Sequence, residues 1–165
     1  MTLRTWRLVT WKHRESAFSG EGSRLYGGRW NTPGNPVVYL CDSQALCALE
    51  NIVHFESGMM PAQYAFFPVE FDSSLVQPLQ AKLPPNWRIM PEVTAEIGDA
   101  WLASHNSGCI LAIPSTLVTE GTNYLINPRH PETRNIKIGT PLPYSFDERI
   151  NALAAGRIGS TKNNP

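Results

Sequence analysis

The fold is decided by residues 27–55, GGRWNTPGNPVVYLCDSQALCALENIVHF, whose character changes twice along the stretch. The first eight residues are typical of turns, and the short apolar run at residues 36–40 is typical of a buried strand. Asp42 or Ser43 can then cap a helix, which we expect at about residues 44–55. A turn, a buried strand and a helix in direct succession favour a mixed α+β domain.

Segments on either side of this stretch predict further strands and a second helix. Residues 5–10 alternate in the manner of a strand, and residues 12–26 are polar and contain glycine, which predicts a loop. Residues 64–71 predict a strand in which Pro68 favours an edge position or a bulge. Thr94 is expected to cap a second helix that runs to about residue 104. Shorter runs predict a strand at residues 109–113, a turn at residues 127–131 and a final strand at residues 136–138.

The composition favours a single domain with a mixed β-sheet core and flanking helices. Of the 165 residues, 42% are hydrophobic and 17% are charged, which is enough apolar surface for one core. We expect the domain to cover residues 4–150, and residues 151–165 to form a flexible C-terminal tail. Fourteen basic residues balance fourteen acidic ones, without the basic excess that drives binding to nucleic acid or to a membrane surface. A few placed cations must therefore hold any anionic ligand.

The cysteines and the lengths of the apolar runs indicate in which cellular compartment the protein is expected. Cys41, Cys47 and Cys109 are odd in number and lack CxxC spacing, so we expect buried free thiols rather than disulfides or a zinc site. The histidines show no regular ligand spacing, so no metal is expected. No apolar run is long enough to span a bilayer, and the N-terminal residues lack the apolar segment of a signal peptide. These features predict a cytoplasmic protein.

Glu50 is the first residue whose position suggests chemistry. In the predicted helix, Leu46, Leu49 and Val53 form one apolar stripe, and Glu50 projects from beside it, at the boundary of the core. Burying a carboxylate without partners costs several kcal/mol. Glu50 therefore extends to solvent, pairs with a cation or lines a cleft, and the spacing alone leaves these three alternatives open.

Three further residues admit both a functional and a structural interpretation. Arg29 follows two glycines in a loop where a guanidinium can clamp a phosphate or simply tie the loop to a carbonyl. Tyr39, near the end of a strand, points into a site or fills the core. Ser115 follows a strand and a proline without the GxSxG elbow of a hydrolase nucleophile, which favours a hydrogen-bonding role. The sequence also lacks a GxGxxG fingerprint and a GxxxxGK[ST] phosphate loop, so neither a Rossmann site nor a nucleoside triphosphatase is supported.

Taken together, these residues resemble the RES domain family, which is named for its Arg, Glu and Ser. The resemblance covers about residues 4–150, because many separated motifs occur in order. The matching motifs are Trp6-Arg7, Ser19-Gly-Glu-Gly22, Gly27-Gly-Arg-Trp-Asn31, Val37-Val-Tyr39, Ala45-Leu-x-Ala-Leu-Glu50, Gly98-Asp-Ala-Trp101, Ile113-Pro-Ser115, Tyr124-Leu-x-Asn-Pro128, His130-Pro131 and Phe146-Asp147.

The resemblance implies a fold similar to the diphtheria-toxin-like ADP-ribosyltransferases and the consumption of NAD⁺ as a substrate rather than a cofactor. It implies an active site of Arg29, Tyr39, Glu50 and Ser115. Glu50 would stabilise an oxocarbenium-like ribose, Arg29 would neutralise the pyrophosphate, Tyr39 would stack on or orient the ribose region, and Ser115 would position the substrate. Arg7 enters as an additional substrate-binding cation and Asn127 as a supporting residue. For Arg7, pairing with a carboxylate at the edge of the core is the alternative.

The resemblance also implies a function as the toxin of a toxin–antitoxin pair. The expected reaction is cleavage of the nicotinamide–ribose bond by water or by inorganic phosphate, which depletes NAD⁺ and arrests growth. The alternatives are mono-ADP-ribosyl transfer to a protein and a non-catalytic module that binds a partner. The expected partner is a cognate Xre-type antitoxin with a helix-turn-helix domain, which forms a hetero-oligomer with the toxin and places a chain end in the Arg29/Glu50 cleft. Contact with DNA would then belong to the antitoxin, since this chain lacks a basic recognition helix.

Overall fold

The computed structural model describes residues 1–54 and 62–154 and has eight strands and four α-helices within them. In chain order they are β1 (Thr2–Thr10), α1 (Glu21–Tyr26), β2 (Val38–Cys41), α2 (Gln44–Ile52), β3 (Tyr64–Asp72), β4 (Val76–Pro78), α3 (Pro91–Ala103), β5 (Ile110–Pro114), β6 (Thr122–Ile126), β7 (Lys137–Ile138), β8 (Leu142–Tyr144) and α4 (Glu148–Ala154). Short 3₁₀ helices lie at Trp11–Ser16, Ser73–Leu75, Trp87–Ile89 and Pro131–Asn135. Within these ranges, no helix has the length and apolar character needed to cross a membrane.

The strands form one mixed sheet in the order β4-β5-β6-β2-β1-β3, and β7 and β8 both pair with the outer side of β3. Only β4 and β5 run parallel. β1 pairs with β3 along its whole length, from Thr2 to Thr10, but it meets β2 at a single register pair, Trp6 with Cys41. The sheet therefore opens between β1 and β2, at its centre.

Apolar side chains cover both faces of the sheet. One cluster includes Leu40 and Val69 and receives Phe18 from the segment after β1. A second cluster lies under α2, which buries Leu46 and Cys47. The third cluster is rich in tryptophan, because Trp30, Trp87 and Trp101 bring together the loop before β2, the 3₁₀ helix before α3, and α3 itself. The arrangement confirms the predicted α+β domain and is consistent with the diphtheria-toxin-like fold that the resemblance implies.

The elements around the decisive stretch are confirmed. β2 and α2 follow the glycine-rich loop as predicted, and the Ser43 side chain caps α2 by accepting a hydrogen bond from the Leu46 amide at 3.2 Å. α2 ends at Ile52, and residue 55 lies outside the described residues. Pro68 lies in the gap between the segments of β3 that pair with β8 and with β7, which explains how a proline fits into this strand.

Other predictions are wrong in detail. Residues 12–26 are largely helical rather than a loop, because a 3₁₀ helix and α1 lie within them. Thr94 does not cap α3, which begins at Pro91; its side chain is buried and donates hydrogen bonds to the Arg29 and Pro91 carbonyls. β7 is not the last strand, since β8 follows it. The predicted tail begins inside α4, which continues to Ala154, and the rest of the tail lies outside the described residues.

The three cysteines are buried free thiols, as predicted. A hydrogen bond with Cys47, together with burial, raises the pKa of the Cys41 thiol. A thiol held in the neutral form is a poor nucleophile, so we assign Cys41 to the core beneath the cleft described below.

Candidate active site

A cleft of about 470 Å³ lies at the opening between β1 and β2. Four of the predicted site residues line it: Arg7 from β1, Arg29 from the glycine-rich loop, Tyr39 from β2 and Glu50 from α2. Ser115 is fully buried behind Glu50 and reaches the site through it. The fold thus brings five predicted residues, distant in sequence, to one place.

Glu50 is held by two neutral donors rather than by a cation. Its Oε1 accepts a hydrogen bond from the Ser115 hydroxyl at 3.0 Å and another from the Asn123 side-chain amide at 2.7 Å. Its Oε2 has no hydrogen-bond partner among the described residues, and no Lys, Arg or His in those ranges forms an ion pair with Glu50. Of the three alternatives left open above, Glu50 therefore lines a cleft.

Ser115 orients Glu50 because its hydroxyl accepts hydrogen bonds from backbone amides and donates its own proton to the Glu50 carboxylate. The residue follows β5, and its backbone amide donates to the Gly121 carbonyl, which closes the turn into β6. The hydroxyl oxygen accepts hydrogen bonds from the Leu117 and Val118 amides at 3.1 and 3.2 Å, so its proton is left for Glu50. This geometry fits the predicted hydrogen-bonding role.

Arg29 is fixed at the far end of its loop. One guanidinium nitrogen, Nη2, donates to the Trp87 carbonyl at 2.7 Å and to the Arg88 carbonyl at 2.6 Å, while the buried Nε has no partner. The loop approaches Tyr39 so closely that a Cβ on Gly28 would lie 2.6 Å from the Tyr39 hydroxyl, which explains the glycine there. Arg29 thus has a fixed position and donor capacity to spare.

Tyr39 ties the same loop to the sheet. Its hydroxyl donates to the Asn31 side-chain oxygen at 2.7 Å and accepts from the Trp30 amide at 3.0 Å. Burial raises the pKa of the Tyr39 phenol, so the hydroxyl stays protonated at neutral pH. Tyr39 lines the cleft with its ring while its hydroxyl orders the loop that carries Arg29.

We expect Tyr39→Phe to loosen this loop without emptying the core. Removing the hydroxyl leaves the Trp30 amide and the Asn31 side chain each without one partner, at a cost of about 1–3 kcal/mol. Urea denaturation should show this loss in the free energy of unfolding. Tyr144→Phe, a matched change at a half-buried tyrosine outside the cleft, should cost less. Equal stability of the wild type and Tyr39→Phe would contradict the role of the hydroxyl.

Arg7 forms no ion pair with an acidic side chain among residues 1–54 and 62–154. Its Nη1 donates to the Tyr39 carbonyl at 2.8 Å, its buried Nε is unsatisfied, and the group lies 6.0 Å from the Phe18 ring centroid. Burial lowers the pKa of Arg7, although an arginine keeps its charge at neutral pH. Arg7 therefore does not pair with a carboxylate at the edge of the core, and it adds a second positive charge to the cleft.

Asn127 is the predicted site residue that the fold does not bring to the cleft. Its side-chain oxygen accepts from the Arg129 amide at 3.0 Å, and its backbone amide donates to the Cys109 carbonyl. Asn127 shapes the turn after β6 and is not among the residues that line the cleft. The asparagine that does contact Glu50 is Asn123, which sequence reasoning missed.

The residues of α3 that hold the Arg29 loop were also missed. Asp99 accepts hydrogen bonds from the Thr32 amide and hydroxyl and from the Asn35 side chain, and Thr94 donates to the Arg29 carbonyl at 2.6 Å. The local signals were two polar residues: Asp99 lies beside a glycine of the predicted second helix, and Asn123 lies outside every element predicted from the sequence, on the strand β6. Neither signal indicates which distant loop is the partner.

The cleft therefore combines the guanidinium groups of Arg7 and Arg29 with the carboxylate of Glu50, whose Oε2 has no hydrogen-bond partner among the described residues. Such a site can bind an anionic ligand through its cations and place a negative charge beside a carbon that becomes electron-deficient.

Comparisons with known proteins show the family of the chain. The model of the RES domain matches residues 4–147. The chain is 36% identical to "Toxin Res" of Yersinia enterocolitica over 88% of this chain and 97% of that protein. It is 34% identical to the "Prs ADP-ribosylating toxin" of a Sphingobium species over 91% of this chain and 98% of that protein. A shorter match, 52% identical over 42 residues, covers 25% of this chain and 22% of the "NAD(+) phosphorylase MbcT" of Mycobacterium tuberculosis. The family match across almost the whole chain, together with the assembled cleft, establishes that this protein belongs to the RES domain family.

Proposed function

We propose that this protein is a toxin that cleaves the nicotinamide–ribose bond of NAD⁺ and so depletes cellular NAD⁺. The observation that supports this most directly is Glu50, a carboxylate held by two neutral donors in a cleft that also contains Arg7 and Arg29. NAD⁺ carries a negatively charged pyrophosphate and a positively charged nicotinamide ribose, which match the two kinds of charge in the cleft.

The chemistry proposed for Glu50 is electrostatic. As the bond between the ribose C1 and the nicotinamide nitrogen breaks, its electron pair leaves with the nicotinamide, which becomes neutral, and the ribose becomes an oxocarbenium-like cation. A carboxylate near that cation stabilises the transition state more than the ground state. The Glu50 Oε2 supplies that negative charge because its other oxygen is already occupied by Ser115 and Asn123.

The cations are proposed to bind the dinucleotide. Arg29, held by two carbonyls, would neutralise the pyrophosphate with its remaining N–H groups, and Arg7 would add a second contact. The Tyr39 ring would lie against the ribose region. Fixed groups of this kind lower the entropic cost of bringing the reacting atoms together.

The acceptor defines the product. With water, NAD⁺ gives ADP-ribose, nicotinamide and a proton; with inorganic phosphate it gives ADP-ribose 1-phosphate and nicotinamide. Transfer of ADP-ribose to a protein is the second candidate, supported by the name of the Sphingobium relative, and it uses the same bond cleavage. The name of the mycobacterial relative supports inorganic phosphate as the acceptor.

Purified protein incubated with NAD⁺, with and without inorganic phosphate, tests the proposal. We expect nicotinamide release, and chromatography of the products identifies the acceptor. Nicotinamide release that does not depend on phosphate indicates hydrolysis, and a phosphorylated ADP-ribose indicates phosphorolysis. Intact NAD⁺ in all samples, together with labelled ADP-ribose on a protein of a cell lysate, would replace this proposal with the second candidate.

We further propose that an Xre-type antitoxin covers the mouth of the cleft and that the pair acts in the cytoplasm, where NAD⁺ is available. Tyr26 is 84% exposed next to the cleft-lining Gly27, and Ile89 is 80% exposed next to Arg88, whose carbonyl binds Arg29. Contiguous exposed apolar patches are typical of partner-binding surfaces, and we propose that these two side chains contribute to one.

The double change Tyr26→Asp and Ile89→Asp tests this surface. We expect at least a tenfold weaker inhibition by the product of the adjacent gene, because two charges would be desolvated on binding. NAD⁺ cleavage by the free toxin provides the control, and it should change little. Undiminished inhibition, or a structure of the complex with an open cleft, would contradict the proposed docking mode.

A further inference from the structure

We propose that Asn123 is a positioning residue for the reaction, whose amide fixes the Glu50 side chain and leaves Oε2 available to the substrate. This inference rests on the function proposed above for the same site. It assigns a role to a residue outside the Arg, Tyr, Glu and Ser set that the family resemblance carries.

The contact is short and its geometry is rigid. The Asn123 Nδ2 atom donates a hydrogen bond to the Glu50 Oε1 at 2.7 Å. This hydrogen bond is shorter than the one from the Ser115 hydroxyl, which is 3.0 Å long. Asn123 lies on β6, which is an interior strand of the sheet and pairs with Cys41 of β2 on one side and Ile113 of β5 on the other. A donor on an interior strand keeps its position better than one on a loop.

The oxygen of the Asn123 side-chain amide is evidence against a purely structural role for this residue. The Asn123 Oδ1 atom is buried and has no hydrogen-bond partner. A buried acceptor without a partner weakens the fold, so an apolar side chain at this position would be better for stability alone. The hydrogen bond that this amide does form goes to Glu50.

A neutral donor suits this carboxylate better than a cation would. A lysine or arginine at position 123 would fix Glu50 equally well but would also cancel its charge, which the transition state requires. The two neutral donors, Ser115 and Asn123, orient the group and leave its negative charge in place.

Other charged or titratable groups share the cleft and bear on any pH measurement. They are Arg7, Glu21, Arg29, Tyr39, Cys41, Cys47 and His54. Hydrogen bonds with Arg24 lower the pKa of Glu21, whereas burial raises the pKa of Tyr39 and Cys41. Because His54 lines the cleft as well, each profile is repeated in a His54→Gln background.

The decisive variant is Asn123→Asp, which keeps the shape and replaces the donor by a carboxylate. A second negative charge beside Glu50 makes its ionisation harder. We expect the acidic limb of the kcat–pH profile for nicotinamide release to move upward by about one pH unit or more. Asn106→Asp, the same change at an exposed position, provides the control and should leave the limb in place. The proposal would be overturned if the acidic limb of the kcat–pH profile stayed at the wild-type pH in Asn123→Asp, or if it shifted equally in Asn106→Asp.

Asn123→Leu provides a second variant, which removes the donor without adding charge. We expect kcat to fall by about tenfold to a hundredfold, with the KM for NAD⁺ changed less than about threefold, because the substrate contacts remain. Thermal denaturation establishes that the variant is folded. A folded Asn123→Leu protein with the wild-type kcat would also overturn the proposal.

A measurement without turnover separates this inference from the proposed function. The Glu50 carboxyl resonance, observed by NMR in carbon-13 glutamate-labelled protein and identified from its loss in Glu50→Gln, reports ionisation directly. We expect its titration midpoint to be higher in Asn123→Asp than in the wild type and in Asn106→Asp. If no protein releases nicotinamide but this shift is observed, the proposed function fails and the coupling of Asn123 to Glu50 stands. If nicotinamide is released and the midpoint does not shift, the inference fails alone.

Discussion

Glu50→Gln is expected to reduce the rate of nicotinamide release by about a thousandfold or more. Glutamine has the shape of glutamate, and its amide oxygen can still accept the hydrogen bonds from Ser115 and Asn123. The change therefore removes the charge and retains the contacts. At an effective dielectric constant of about 20, a unit negative charge about 4 Å from a unit positive charge contributes about 4 kcal/mol. That energy corresponds to about a thousandfold in rate.

The measurement is kcat for nicotinamide release at saturating NAD⁺, with thermal denaturation of both proteins alongside. Glu96→Gln, which makes the same change at an exposed position on α3, should retain the wild-type rate. A Glu50→Gln protein with more than about a tenth of the wild-type kcat would exclude the electrostatic role, since the expected free energy would be missing. A large fall in the melting temperature would instead indicate that the charge supports the fold.

Sequence reasoning succeeds here where the chemistry is local. The strand and helix on either side of Ser43 follow from an apolar run, a capping side chain and helical spacing, all within a few residues. The boundary position of Glu50 follows from the same spacing. These features depend on neighbours along the chain, which the sequence displays directly.

The parts that sequence reasoning misses depend on partners far apart in the chain. Asn123 is 73 residues from Glu50, and Thr94 is 65 residues from the Arg29 carbonyl that it binds. Thr94 resembles a helix cap in sequence, but the tertiary hydrogen bond determines its place inside α3. A family motif contains Asn127 and not Asn123, but Asn127 lies in the turn after β6, whereas Asn123 lies on β6 and contacts Glu50.

The second large effect is expected at Gly98, in the middle of α3. An alanine normally stabilises a helix interior by about 1 kcal/mol relative to glycine. At Gly98, however, a Cβ would overlap the carbonyl oxygen of Trp30, an atom of the backbone that cannot rotate away. Either α3 or the Arg29 loop must then move, and overpacking of this kind costs about 1–3 kcal/mol or more. After subtraction of the helix gain, we therefore expect Gly98→Ala to lower the free energy of unfolding by about 1–2 kcal/mol or more.

The same clash should also reduce the activity of the protein that remains folded. Trp30 follows Arg29 directly, and Thr94 on the same face of α3 binds the Arg29 carbonyl, so a displaced helix carries the guanidinium with it. A displacement of about 1 Å in a substrate-binding group can cost about a hundredfold in rate. Nicotinamide release, measured at a temperature where the variant is folded, should fall by about tenfold to a hundredfold.

Gly22→Ala in α1 is the matched stability control for Gly98→Ala. No atom lies within 4 Å of a Cβ at Gly22, so the change there should raise the free energy of unfolding by about 0.5–1 kcal/mol. Urea denaturation of the two variants then compares the same substitution in two helices, with opposite signs expected. Stabilisation by both would mean that α3 does not press on the Trp30 carbonyl. Opposite signs would show that tertiary contact, rather than helix propensity, requires glycine at position 98, and that α3 determines where Arg29 lies.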